Sequence, residues 1–190
     1  MEGRLEDLKR LEAEVSECRK CGLWKTRTQT VFGSGPPLPR LVVVGEAPGS
    51  QEDREGLPFV GAAGKFLTSL LLSAGVKREE VYITNVIKCR PPNNRTPLPE
   101  ETEACKPYLE EQLKILKPKL VVALGRVAAS VLLGRPVEMA KEHGRKVKCR
   151  FADLDFSLFL TYHPAAGLYS GKNRSSLEED FRKLGRLLRS

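Results

Sequence analysis

No apolar run in this sequence approaches the roughly 20 residues needed to cross a bilayer. The opening stretch, Met1 to Val15, mixes acidic and basic side chains and so does not read as a secretory signal. A cytoplasmic protein is the expectation. Internal repeats, low-complexity tracts and linkers are also lacking, which argues for a single domain over residues 1–190. Glutamine occurs only at Gln29, Gln51 and Gln112, a scarcity that points weakly to a thermophilic source. Two nucleotide signatures are missing as well. The glycines from Gly45 to Gly49 do not form G-x-G-x-x-G. The stretch Gly61-Ala62-Ala63-Gly64-Lys65 fails as a triphosphate loop, with Phe59 where glycine is needed and Phe66 where serine or threonine is needed. Both absences argue against nucleotide-driven chemistry.

What is present is an ordinary globular balance, 41% hydrophobic and 29% charged, with a net charge of +8. A positive field of that size favours polyanions and suits nucleic-acid binding, although surplus lysine alone would produce it. Five cysteines are an odd number. In a reducing compartment, ligands or free thiols explain them better than disulfides.

Leu5, Leu8, Leu11 and Val15 recur at helical spacing and predict an amphipathic helix ending near Cys18. Leu41-Val42-Val43-Val44 reads as a strand buried on both faces. Helix then alternates with strand: helix 65–74, strand 81–86, helix 99–116 between Pro99 and Pro118, strand 120–124, helix 126–133, strand 158–162 and helix 176–188. This alternation predicts an α/β fold, a mostly parallel four-stranded sheet with helices on both faces, to which 146–151 could add an edge strand. In such sheets ligands bind beyond the carboxyl ends of the strands. Gly45-Glu46-Ala47-Pro48-Gly49, Asn85 and His163-Pro164 all fall at those ends, which predicts one cleft.

Each candidate residue there has a plainer reading beside it. His163 sits beside proline at a strand end, whereas a lone histidine is more often structural. Asn85 can be a turn former, but its amide both donates and accepts, which suits the edge of a base. Phe59 would ordinarily be core; the glycines and proline around it suggest a rigid loop presenting an aromatic face. Lys88, Arg90, Arg95, Lys172 and Arg174 suit phosphate contacts as a group, although any one can be a solvated charge. His143, in a polar run, reads as a solvated loop residue. Cys18 and Cys21 form C-x-x-C, and Cys89 and Cys105 complete a set of four thiols able to close a site for zinc or for a [4Fe–4S] cluster, between which spacing does not decide. Cys149 reads as a buried structural thiol.

Taken together, Gly45-Glu46-Ala47-Pro48-Gly49, Gly56-x-Pro58-Phe59-Val60-Gly61, Thr84-Asn85-Val86-x-Lys88-Cys89-Arg90-Pro91-Pro92 and His163-Pro164-Ala165-Ala166 resemble the family 4 uracil-DNA glycosylases, the thermostable, iron–sulfur-containing type. The resemblance runs in consistent order from Cys18 to Ala166. It implies a [4Fe–4S] cluster on Cys18, Cys21, Cys89 and Cys105, and a substrate of uracil-containing DNA. It further implies that Phe59 stacks on a flipped uracil beside Ala47, that Asn85 pairs with its edge, and that His163 faces O2. Glu46 would position water or stabilise the cationic sugar, with Glu52 or Asp53 as substitutes. The implied reaction releases free uracil and leaves an abasic site.

The superfamily often carries a water-activating Asp two places after the motif's first glycine, and here that place is Ala47. After His163-Pro164-Ala165-Ala166 the pattern also departs, and Leu168 or Tyr169 is the candidate wedge for the vacated stack. A relative that captures DNA covalently through a histidine has an inserted basic loop after Cys-Arg-Pro-Pro, which this chain lacks. Gln29-Thr30-Val31-Phe32 is loosely similar to a sliding-clamp-binding peptide, and the chain is otherwise expected to act as a monomer. Two other classes compete: a non-catalytic nucleic-acid-binding module with a four-cysteine metal site, and an iron–sulfur electron carrier.

Overall fold

Strands buried on both faces need apolar side chains at every position, and three such runs form the middle of the sheet. The computed structural model describes all 190 residues. Helix α1 (Glu2–Ser16) is followed by a long loop and β1 (Leu41–Gly45). Then come α2 (Ser50–Glu55), α3 (Ala62–Ser73), β2 (Val81–Asn85), α4 (Pro99–Leu116), β3 (Leu120–Leu124) and α5 (Arg126–Leu133). The chain ends with α6 (Met139–Glu142), β4 (Arg145–Phe151), β5 (Leu154–Thr161), α7 (Ala166–Tyr169) and α8 (Gly171–Arg189).

The sheet has five strands rather than four, in the order β2-β1-β3-β5-β4. The first four in that order run parallel, and β4 pairs antiparallel with β5 from Arg145 opposite Leu160 to Phe151 opposite Leu154. The fifth strand exists because Ala152 and Asp153 both take positive φ, 51° and 60°, and so close a two-residue hairpin. Its Lys146, Lys148 and Arg150 are exposed along the sheet edge, where charge discourages pairing with another chain.

Alternate strand residues feed two cores. Val42, Val44, Val121 and Ala123 meet α1, α4 and α5 on one face. Leu41, Val43, Val122 and Leu124 meet α3 and α8 on the other. The parallel strands all point their carboxyl ends to one rim, and the loops leaving β1, β2 and β5 meet there. Hydrogen bonds from Val86 N–H to the Gly45 carbonyl (2.9 Å) and from Ile87 N–H to the Glu46 carbonyl (3.0 Å) tie the first two together past the strand ends.

Candidate active site and four-cysteine pocket

The rim holds a cleft of about 410 Å³ in which Glu46, Ala47, Phe59, Asn85 and His163 come together. Pro91, Asn94 and Arg95 also line it. Two glycines make the convergence sterically feasible. A Cβ on Gly45 would lie 2.4 Å from Asn85 Oδ1 and 2.8 Å from the Phe59 ring, so only glycine lets those groups share the space. A Cβ on Gly64 would lie 1.8 Å from the Phe59 carbonyl oxygen. Phe59 itself adopts φ 51°, strained for an aromatic residue. The turn is held by Glu52, whose Oε1 accepts hydrogen bonds from the N–H groups of Val60 and Gly61, both at 3.2 Å.

The Phe59 ring stacks on His163 with centroids 5.5 Å apart and planes at 26°. His163 Nδ1 accepts a hydrogen bond from the Ala165 N–H at 3.1 Å. Burial pulls the His163 pKa down to about 4, against an opposing pull from Glu52. The ring is therefore neutral at pH 7 and, with Nδ1 an acceptor, carries its proton on Nε2 as a donor. Burial raises the pKa of Glu46 above the ordinary carboxylate value, and Arg126 draws it partly back. Asn85 is 2% exposed and its Oδ1 is buried with no hydrogen-bond partner. An orphaned buried amide oxygen in a cleft marks a place where a ligand completes the bonding.

Several expectations are corrected. Lys88 is not a phosphate contact: it is 1% exposed, and Nζ donates to Thr84 Oγ1 (2.6 Å), the Asn85 carbonyl (2.7 Å) and Gln112 Oε1 (2.5 Å). Burial pulls its pKa down to about 7, while three acceptors call for all three N–H bonds of the ammonium. His143 is not a free loop residue, since Nδ1 lies 2.9 Å from the fully buried Asp180 carboxylate. Arg95 and Arg174 stay partly exposed and compatible with phosphate contacts, Arg95 in the cleft beside Glu101 at 2.7 Å and Arg174 over the Phe66 ring beside Glu178. Asp53 is outside the cleft, buried and accepting the Thr28 N–H. Glu52 lines the cleft but is engaged by the Phe59 loop. Val31 and Phe32 are buried, which leaves the segment similar to a clamp peptide no free apolar anchor. Asn94 and Pro91 were not singled out from sequence; the signal was Pro-Pro-Asn-Asn, a turn in which both asparagines take φ 55°.

Cys18, Cys21, Cys89 and Cys105 line a second, mostly apolar pocket on the α1–α4 face of the sheet. Arg27 also lines it: Nη1 donates to the Cys18 carbonyl at 2.9 Å and to Cys89 Sγ at 3.2 Å. Burial pushes the Cys105 thiol up to about 11, and the neighbouring Lys88 pulls the other way. No three histidine, cysteine or acidic side chains stand together so as to hold a single metal ion. Cys149 is apart from this pocket, buried, with Sγ donating to the Leu132 carbonyl.

A three-layered α/β fold whose strand ends hold an aromatic face, an orphaned amide and a neutral histidine defines a class, and residues 32–185 match the model of the Uracil DNA glycosylase superfamily. The type-4 uracil-DNA glycosylase of Sulfurisphaera tokodaii is 45% identical, covering 96% of this chain and 86% of the relative. That of Archaeoglobus fulgidus is 46% identical, covering 96% and 94%. That of Thermotoga maritima is 44% identical, covering 90% and 87%. The chain belongs to the type-4 uracil-DNA glycosylase family.

Proposed function

We propose that this protein acts in base excision repair, flipping uracil out of DNA and hydrolysing its N-glycosidic bond to release free uracil and leave an abasic site. The observation that carries the reading is the buried, unpartnered Oδ1 of Asn85, a residue that lines the same cleft as Phe59 and His163. Asn85 Oδ1 accepts the uracil N3–H while its amide N–H donates to O4; cytosine presents the reverse pattern and is rejected. Phe59 stacks on the base, with Ala47 leaving room beside it. The extrusion costs a few kcal/mol, which the pocket contacts offset.

As the C1′–N1 bond breaks, its electron pair stays with the base and negative charge grows on O2. His163 donates its Nε2–H to that oxygen, which the neutral ring does in the tautomer set by the Ala165 N–H on Nδ1. The sugar acquires oxocarbenium character, and Glu46, ionised, stabilises it or takes a proton from the water that attacks C1′. No lysine or thiol enters the chemistry, so the DNA strand stays intact. The exposed Tyr169, rather than the half-buried and core-packed Leu168, is the side chain free to fill the vacated stack.

The four-cysteine pocket suits a [4Fe–4S] cluster. A single zinc ion needs all its sulfurs about 2.3 Å from one centre, whereas a cluster gives each thiolate its own iron. Four thiols in one pocket are a donor set for either, and the resemblance to family 4 favours the second pattern. Bound there, the cluster supplies a cross-link between the loop after α1, the segment after β2 and α4. The protein acts as a monomer in the cytoplasm on this reading; no helix is long and apolar enough to cross a membrane.

An end-labelled oligonucleotide with one uracil, incubated with the purified protein and then treated with alkali, tests the proposal. Scission at uracil that requires alkali and is absent from a thymine control is expected. No scission by folded protein would overturn it.

A further inference from the structure

Lys88 is among the largest fully buried side chains of the molecule, and the reaction outlined above does not use it. Burying an ammonium is costly unless every proton finds an acceptor. Here the three acceptors are all neutral: Thr84 Oγ1, Gln112 Oε1 and the main-chain carbonyl of Asn85. Two of them are themselves pinned. Thr84 Oγ1 donates to the Phe32 carbonyl at 2.7 Å, and Gln112 Nε2 donates to the same carbonyl at 2.8 Å. Phe32, Thr84 and Gln112 thus form a fixed socket that aims the ammonium at the remaining acceptor. That acceptor belongs to the residue whose buried amide oxygen is left without a partner.

Asn85 is the last residue of β2, and the peptide leaving it is held on its N–H side by the Gly45 carbonyl, which accepts from Val86 N–H at 2.9 Å. The Asn85 carbonyl would be a loose end without a donor from elsewhere. A charge-assisted bond from Lys88 holds the same peptide from its carbonyl side, and the two bonds together set its plane and the direction from which the Asn85 side chain enters the cleft. Bidentate recognition of a base edge tolerates little angular error, so such a clamp acts on discrimination more than on DNA binding.

We propose that Lys88 is a positioning residue for base recognition, clamping the Asn85 main chain from a socket made by Phe32, Thr84 and Gln112. This rests on the reading that Asn85 pairs with the base. Phe32, Thr84 and Gln112 do not line the four-cysteine pocket, although Lys88 itself does, so the test reads the state of that pocket alongside recognition.

Single-turnover excision of uracil, affinity for free uracil and for uracil-free DNA, and visible absorbance of the purified protein are measured for Lys88→Met, Asn85→Ala and the double variant. Lys88→Met is expected to keep its colour and its affinity for uracil-free DNA, to bind free uracil more weakly, and to excise about tenfold more slowly. In the Asn85→Ala background the same change is expected to cost less than about twofold, because the residue it positions is gone. Equal losses in both backgrounds would reduce Lys88 to general scaffolding and overturn the proposal, as would a folded Lys88→Met with wild-type excision. If Lys88→Met does not fold, Gln112→Leu, which removes the acceptor that aims the ammonium, is read in the same two backgrounds by the same criteria. Asn85→Ala with undiminished uracil binding and excision would instead overturn the base-pairing reading, whatever Lys88 does.

Discussion

The cleft and the four-cysteine pocket stand on opposite principles, although the five residues from Asn85 to Cys89 run from one to the other. The cleft is open and partly polar, built from loops at strand ends, and leaves an amide oxygen without a partner. The pocket is lined mostly by apolar groups, and draws its cysteines from the loop after α1, the segment after β2 and the body of α4. One site keeps interactions unsatisfied so that a ligand can complete them. The other joins parts of the chain far apart in sequence. The proposed division follows: chemistry in the cleft, integrity in the pocket.

Cys89→Ser probes that division most severely. Loss of a metal-held cross-link falls among the few single changes that cost several kcal/mol. For a chain of this size that is a drop in melting temperature of about 10 °C or more. The fraction that remains folded is expected to retain most of its excision rate when normalised to folded protein by circular dichroism. A fully folded, colourless variant without activity would break the comparison.

In the cleft the expected pattern is inverted. His163→Ala removes one donor to the developing oxyanion, and about 10²- to 10³-fold in single-turnover rate should go with it. Its melting temperature should move far less than that of Cys89→Ser. The pH profile separates the two cleft groups. With a pKa of about 4, His163 stays neutral as pH falls from 7 to 5, so its donor is intact throughout that range. Glu46 has its pKa raised by burial, so it takes up a proton at a higher pH than an exposed glutamate and activity falls as pH drops through that point. Glu46→Gln should be slower and should lack this acidic limb. An unchanged limb in that variant would assign it to another group.

Phe59→Leu sharpens the account within the cleft. Stacking on a base is worth about 1–3 kcal/mol, and a ring already held against His163 should lie in the upper part of that range. Weaker binding of free uracil by that amount, with the melting temperature little changed, is the expected result in a calorimetric titration. A large loss of stability with intact uracil affinity would return Phe59 to the role of a core residue.

Much of this was legible before any coordinates. The bounds of α4, β3 and α5 follow from punctuation: Pro99 opens α4, Pro118 follows it, and Gly125 and Gly134 bracket α5. The cleft was legible because its residues sit where strands end. Less legible was burial of charge. Lys88 looks like its neighbour Arg90, and the acceptors that bury it come from β2 and from Gln112, 24 residues further on. Glu52 and Asp53 are adjacent glutamate and aspartate in sequence, yet one braces the Phe59 loop and the other faces away toward Thr28. The fifth strand was half visible, because its hairpin turns on Ala152 and Asp153 at positive φ without a glycine to announce it.

The smallest expected effect concerns the rim. Leu168 packs against the α3–α8 core, while Tyr169 is 91% exposed next to it. If Tyr169 fills the stack left by the flipped base, removing it raises the cost of extrusion only where a stack exists. Tyr169→Ala should therefore slow excision from duplex DNA by on the order of fivefold, about 1 kcal/mol of stacking, and leave excision from a single strand unchanged. Leu168→Ala should do the reverse, lowering the melting temperature with little preference between the two substrates. Equal slowing on both substrates by Tyr169→Ala would make that ring a DNA-binding contact rather than a wedge, and would leave the vacated stack to be filled from another part of the rim.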